Sequence, residues 1–326
     1  RREKSRMKAL ITGGAGFIGS HLADELIASG NEVITLDDLS TGRFENIEHL
    51  DRNKNFRFVE GTILNEALVD KVVEKCDVVY HLAAAVGVDL IVKKPLESLI
   101  TNIKGSEVVL DMVHRYHKKV LITSTSEIYG KNTNGPLKED ADRILGSPLK
   151  SRWGYSTAKA VDEMLAYIYW REKKVPSVIV RLFNTVGPRQ TGAYGMVIPR
   201  FVTQAIENED ITVYGNGKQS RCFLHVKDVV TALIKLMNNE KAVGNVFNIG
   251  SQDEITIEEL AKKIIKSTNS SSKIVYIPYN KAYEEGFEDM QRRVPDTTKA
   301  KDAIGFNSTA NLEQIIQDVV KYYKKS

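Results

Sequence analysis

The segment Leu10-Ile11-Thr12-Gly13-Gly14-Ala15-Gly16-Phe17-Ile18-Gly19 constrains this chain more than any other. It follows an apolar run, Ala9 to Thr12, and opens a helical pattern, Phe17 to Ser29. Both a GxGxxG spacing (Gly14, Gly16, Gly19) and a GxxGxxG spacing (Gly13, Gly16, Gly19) are met. Positions without a Cβ permit a tight strand-to-helix turn, close packing of helix on strand, and approach of the backbone to a pyrophosphate. The helix N-terminus then offers N–H groups and a partial positive charge to the phosphates. The next strand ends at Asp37, 18 residues beyond Gly19. A carboxylate there accepts both hydroxyls of an adenosine ribose and repels a 2′-phosphate, so the turn predicts dinucleotide binding with NAD favoured over NADP.

Further apolar runs at Glu32 to Asp37, Phe56 to Glu60, Asp77 to His81, Lys119 to Thr123 and Ser177 to Arg181 alternate with amphipathic stretches such as Leu96 to Tyr116 and Tyr155 to Lys174. That rhythm reads as an α/β fold, a Rossmann-type doubly wound parallel sheet of six strands. After Phe183 the beat fails, and Pro188, Gly192, Gly195 and Pro199 punctuate a loop. The 326 residues accommodate about two domains. We expect an NAD-binding domain over 7–183 and a smaller α/β substrate lobe over 184–326, with the segment around 222–250 returning to the first domain. Ligands bind in the cleft between such closely packed halves. Asp228, at a helix start, reads as a cap.

Residues 1–6 read as an N-terminal extension. They carry +3 of the formal net charge of +4, so no basic surface for nucleic acid is expected. No run approaches the ~18 apolar residues of a membrane span. The two cysteines, Cys76 and Cys222, have no metal-ligand spacing and make no disulfide framework, which fits a reducing cytoplasm.

Tyr155-Ser156-Thr157-Ala158-Lys159 places a phenol and an ammonium four residues apart on one helix face. A nearby cation stabilises phenolate, which a general base for an alcohol oxidation requires. Thr123-Ser124-Thr125-Ser126-Glu127 after the fifth strand and Asn102 on the preceding helix complete the constellation.

With these motifs the chain resembles the extended short-chain dehydrogenase/reductases that act on nucleotide sugars, the epimerase/dehydratase family. The resemblance runs from Met7 to the C-terminus through TGGAGFIG (12–19), DDLSTG (37–42), HLAA (81–84), STSEIYG (124–130), YSTAK (155–159), RLFNTVGPRQ (181–190), GNGKQSRCFLHVKD (215–228) and RRVPD (292–296). It implies Tyr155 as catalytic base, Lys159 on the nicotinamide ribose, and Thr125 on the sugar 4-hydroxyl, with Ser126 and Glu127 beside them. To the cofactor it assigns Gly13, Gly16, Phe17, Ile18, Gly19, Asp37, Asp38, Leu39, Ser40, Thr41, Gly42, Thr62, Ile63, Leu82, Ala83, Ala84, Asn102 and Thr123. Where the family often has an adenine-facing aspartate, this sequence reads Gly61-Thr62-Ile63. To the substrate it assigns Val88, Ser126, Asn184, Met196, Val197 and Tyr214, with Arg221 and Arg293 as forked donors to a diphosphate. Arg189 is placed to meet a C6 carboxylate.

The family's shared first step oxidises C4 of the sugar. Glu127 departs from plain galactose epimerases, which have a neutral residue there, while Ser126 stands where many dehydratases carry an aspartate. The preferred expectation is a UDP-sugar 4-epimerase acting on UDP-glucuronate. UDP-glucuronate decarboxylation and 4,6-dehydration are the alternatives, and a non-catalytic NAD-binding protein is disfavoured by the intact Tyr155, Lys159 and Thr125. The resemblance also implies a homodimer through the Tyr155 helix, with Met164, Leu165 and Ile168 compatible with that contact.

Overall fold

The computed structural model describes residues 6–85, 94–192, 196–282 and 290–325. Of the expected features, Val88 and residues 1–5 lie outside them. The strands are β1 (Lys8–Thr12), β2 (Glu32–Asp37), β3 (Phe56–Glu60), β4 (Val78–His81), β5 (Lys119–Thr125), β6 (Ser177–Leu182), β7 (Thr185–Val186), β8 (Ile211–Tyr214), β9 (Ser220–Cys222), β10 (Leu224–His225), β11 (Val246–Ile249), β12 (Glu254–Thr256) and β13 (Ile274–Ile277). The helices are α1 (Phe17–Ala28), α2 (Glu66–Glu74), α3 (Pro95–Arg115), α4 (Gly154–Lys173), α5 (Val197–Ile206), α6 (Val226–Met237), α7 (Ile257–Thr268), α8 (Tyr279–Ala282), α9 (Thr298–Ile304) and α10 (Leu312–Tyr323).

Seven parallel strands form the central sheet in the order β11-β6-β5-β4-β1-β2-β3. The near-continuous apolar character of β1 and β5 follows from burial on both faces. On one face Leu22 and Leu26 of α1 pack with Val229 and Leu233 of α6. On the other, Val69 and Val73 of α2 pack with Val109 and Val113 of α3. The seventh strand, β11, comes from beyond the expected six and pairs with β6 through Val246 to Ile249.

A separate apolar cluster joins Phe201 of α5, Leu260 of α7 and Ile316 of α10, flanked by the short pairs β8 with β13 and β9 with β12. Pro199, read above as loop punctuation, sits in the first turn of α5, where its missing N–H has no helical partner to lose. Asp228 does not cap α6. His225 does so, accepting from the Lys227 N–H at 3.1 Å, while Asp228 accepts from the Thr309 N–H (2.9 Å) and hydroxyl (2.6 Å), tying α6 to the segment before α10.

One buried network fixes how these parts meet. Arg181 on β6 makes a forked pair with Glu163 on α4 (2.9 and 2.8 Å) and donates to the Tyr129 hydroxyl (2.9 Å) and the Glu139 carbonyl (2.8 Å). Tyr129 donates to Asn248 on β11 at 2.7 Å, and Asn248 donates to the Leu137 and Asp296 carbonyls. Removing one member of a buried ion pair strands the other charge, so Arg181→Met should lower unfolding stability by about 3–5 kcal/mol, read by urea denaturation. A loss under about 1 kcal/mol would show that the network is not structural.

Candidate active site

The strand order reverses between β1 and β4, and the crevice beyond their C-terminal ends is where an α/β sheet binds ligands. A cavity of about 580 Å³ opens there and runs into the second cluster of elements. The glycine-rich turn forms one wall. Gly13 has φ +72°, and a Cβ on it would lie 2.8 Å from the Ala83 nitrogen; a Cβ on Gly19 would lie 2.1 Å from the Gly13 carbonyl oxygen. No side chain caps α1, whose first turn holds no acid, so its N-terminal end is left for an anion.

Asp37 closes the far side of this cradle. Its carboxylate accepts the N–H groups of Ala15 and Leu39, each at 2.9 Å, which uses two of about four acceptor positions. Burial pushes the Asp37 carboxyl above its ordinary value, against the pull of those two N–H groups. Asp38, Ser40, Thr41 and Ile63 line the cavity, as do Phe17, Ile18, Leu82, Ala83, Ala84 and Thr123. Arg43 and Asn46, which the motifs did not single out, line it beside them.

Five expected cofactor residues lie behind the wall instead. Gly42 backs Asp37, where a Cβ would stand 2.8 Å from the carboxylate. Leu39 packs against the core beneath the loop, and Thr62 accepts the Leu64 N–H in a local turn. Asn102 is fully enclosed, accepting the Ala85 N–H at 2.8 Å and donating to its carbonyl at 3.2 Å, so it shapes the Ala83–Ala85 backbone. Lys159 is buried and donates to Asp162 at 2.8 Å.

The sugar end is built from β5, its following turn and α4. Thr125, Ser126, Glu127 and Tyr155 line the cavity. Thr125 accepts the Glu127 N–H at 3.1 Å, which leaves its own O–H to donate. Ser156 fastens the turn to α4 by donating to the Glu127 carbonyl at 2.8 Å. The Glu127 carboxylate is held by Arg152 on one oxygen and by Arg293 on the other, the latter at 2.6 Å. Burial alone would raise the Glu127 carboxyl, but the two guanidiniums outweigh it and hold it at about 2. Lys159 was expected to lower the Tyr155 phenol. Here burial, followed by the Glu127 and Asp162 carboxylates, pushes the phenol above its ordinary value.

Asn184, Met196, Val197, Tyr214, Arg221 and Arg293 line the remaining wall. Asn184 accepts from Arg293 at 3.1 Å and donates to the Cys222 carbonyl, joining the two halves. Arg293 thus reaches the Glu127 end of the cavity it lines, and Arg221, donating to the Ser220 carbonyl, stands on the wall of the second lobe. Arg189 lines the cavity but pairs at 2.8 Å with Asp24 on α1, so it is Arg152 that stands against Glu127. Arg152 lies within the SRW strip just before YSTAK, and its distance of 25 residues from Glu127 hid the contact.

The family model described as GDP-mannose 4,6 dehydratase matches residues 10–319. The UDP-N-acetyl-alpha-D-glucosaminuronate decarboxylase of Bacillus cytotoxicus is 42% identical over 321 residues, 98% of this chain and 98% of that protein. UDP-glucuronic acid decarboxylase 1 of Danio rerio is 36% identical over 323 residues, 99% of this chain and 74% of that protein. Among solved structures, a UDP-glucuronic acid 4-epimerase from Bacillus cereus, in complex with UDP-glucuronic acid and NAD, matches with a TM-score of 0.88 at 29% identity, covering 98% of this chain and 99% of that one.

Because Glu127 is held low, its ion pairs contribute stability that is present above the ordinary carboxylate value of 4.5 and lost as pH falls through about 2. The stability margin of the wild type over Glu127→Gln should therefore shrink steadily between those two pH values, measured by urea denaturation at each pH. A margin that stays constant would show that the carboxylate is not held by the arginines.

Proposed function

The chain belongs to the NAD-dependent nucleotide-sugar epimerase/dehydratase family of short-chain dehydrogenase/reductases, and within it we propose a UDP-hexuronate decarboxylase, acting on UDP-glucuronate or UDP-N-acetylglucosaminuronate. One observation carries the reading. Arg152 and Arg293, both buried, converge on the Glu127 carboxylate at the stretch of cavity wall that Tyr155 also lines. Two guanidiniums fixed there favour a sugar whose C6 is a carboxylate, whereas a neutral hydroxymethyl group gains nothing from them.

NAD fits the cradle, since Gly13 and Gly19 admit no Cβ and Asp37 keeps acceptor capacity for a ribose. When bound it supplies the hydride acceptor at C4. The chain's own part is to position and to move protons. Tyr155 takes the proton of the 4-hydroxyl with Thr125 beside it, and Lys159, which rests on Asp162 behind the wall, would reach a nicotinamide ribose only by leaving that pair. Oxidation leaves a ketone β to the carboxylate, so the C5–C6 bond breaks to CO2 and its electron pair moves into the C4 enolate. A proton taken up at C5 regenerates the ketone, and return to C4 of the hydride first removed, with Tyr155 giving its proton back to the C4 oxygen, yields the UDP-pentose. Phe183/Asn184 divides the labour, with the sheet domain holding NAD and Asn184, Met196, Val197, Tyr214 and Arg221 holding the nucleotide.

The epimerase expectation has less support. The two relatives at 42% and 36% identity, matched over 98% and 99% of this chain, are named decarboxylases, while the UDP-glucuronic acid epimerase structure stands at 29%. Dehydration fits least, because a carboxyl held at about 2 is a poor proton donor to a leaving hydroxyl and Ser126 adds no second acid.

The homodimer is part of the same proposal. Leu96 (70% exposed) and Ile100 of α3 and Met164 (61% exposed), Tyr167 and Ile168 of α4 leave an apolar surface on two helices that pack together, whereas Leu165 turns into the core. Sedimentation equilibrium should give a dimer for the wild type and a monomer for Met164→Asp/Ile168→Asp; a monomeric wild type would refute the contact.

Incubation with NAD and either hexuronate, followed by NMR, should release CO2 and a UDP-pentose. Accumulation of UDP-galacturonate instead would overturn decarboxylation in favour of epimerisation. Arg152→Met should lower kcat by about 100-fold, the typical cost of one preorganised charged donor.

A further inference from the structure

Asp162 lies one turn beyond Lys159 on α4 and is fully buried. Its Oδ2 accepts from the Lys159 ammonium at 2.8 Å, and its Oδ1 has no hydrogen-bond partner among the described residues. Neither residue lines the cavity. Ammonium and carboxylate in contact form a pair that is neutral as a unit. The sequence motif YSTAK counts Lys159 as a cation delivered to Tyr155. The structure instead delivers a cation whose charge is already matched.

Among the described residues, the neighbouring charged groups are committed elsewhere. Glu127, from the turn after β5, is bound by Arg152 and Arg293. Glu163, next to Asp162, is bound by Arg181 of β6. His81 of β4 is tied between the Thr12 and Ser106 hydroxyls, and burial followed by the Lys159 charge lowers it to about 3, so it is neutral. Asp111 of α3 bonds Tyr169 at the far end of α4. The Lys159–Asp162 balance is the one that a displacement of a single ammonium can change.

We propose that Asp162 is a positioning residue that holds Lys159 as a neutral ion pair and so sets how readily Tyr155 gives up its proton. The phenol stays protonated while Lys159 rests on Asp162, and it becomes a base when the ammonium is drawn toward the cavity. This rests on the assignment of Tyr155 and Lys159 as the catalytic pair in the proposed function.

The test is a titration of Tyr155 itself, followed by the ring Cζ resonance of 13C-tyrosine-labelled protein and assigned by its loss in Tyr155→Phe. The pH profile of kcat/KM is measured alongside. In Asp162→Asn the counter-charge is gone, so the Tyr155 midpoint should fall by about one pH unit, the size expected for one charge at an effective dielectric of about 20. The acid limb of kcat/KM should move down with it, and Asp162→Glu should restore both. An unchanged or raised midpoint in folded Asp162→Asn overturns the proposal.

If that variant does not fold, Lys159→Met and Lys159→Met/Asp162→Asn supply the second measurement. The single change should raise the midpoint by exposing Tyr155 to a lone carboxylate, and the double change should bring it back down; equal midpoints overturn the proposal. The resonance needs no substrate, so a titration that shifts as expected beside an absence of hexuronate turnover would refute the reaction and leave the role of Asp162 standing.

Discussion

A parallel sheet covered on both faces can present chemistry only at the ends of its strands, and everything else in this protein follows from that restriction. Ala9, Leu10, Val79, Val120 and Ile122 are sealed between helices, so the polar groups that do work sit where β1, β4 and β5 run out. The reversal of strand order between β1 and β4 parts the connections there and leaves the crevice open. The glycine turn occupies one lip and Leu82-Ala83-Ala84 the other, so close that a methyl group on Gly13 would strike the Ala83 backbone. The crevice is a consequence of topology, and its chemistry is a consequence of which side chains the loops place on it.

Those side chains are grouped by charge. Glu127 is held by Arg152 and Arg293, so two guanidiniums flank the sugar end of the cavity, which suits an anionic group on the ligand. Lys159 with Asp162 is a balanced pair, and burial, followed by the Glu127 and Asp162 carboxylates, holds the Tyr155 phenol above its ordinary value. Arg181 with Glu163 is likewise balanced, and its task is mechanical: through Tyr129 and Asn248 it joins the turn that bears Glu127 to the Pro295–Asp296 backbone just after Arg293. The turn that bears Glu127 is thus braced by a balanced pair one layer deeper.

Local rules reach the first half of this picture well. Strand and helix bounds such as Glu32–Asp37, Phe56–Glu60 and Phe17–Ala28 follow from periodicity and turn glycines, because the fold there depends on neighbours in sequence. The misses share one cause. The contact of Arg152 with Glu127 across 25 residues and that of Arg293 across 166 residues are long-range, and no local pattern encodes them. Asn102 and Gly42 were legible as important but not in kind: each acts on the residue that faces the cavity, Ala85 and Asp37, rather than facing it. Asp162 escaped because a motif read as tyrosine plus lysine counts a cation without counting its partner.

That last omission bears on how one scaffold divides into different reactions. Oxidation at C4 needs only the pair on α4 and an acceptor beside it, and the fate of the ketone is then decided by what surrounds C5 and C6. A second acid would favour loss of the 6-hydroxyl, and a neutral pocket would let the sugar turn and take its hydrogen back on the other face. Here the only carboxyl among Thr125, Ser126 and Glu127 is held at about 2 by two arginines, so it cannot act as that acid. What it does is fix the geometry of two cations, and cations in a buried wall select for a carboxylate on the sugar. A carboxylate β to a ketone already contains its own leaving group. In the proposed decarboxylation no further catalyst is needed at C6, only a grip that holds the C5–C6 bond where its electrons can pass into the ketone.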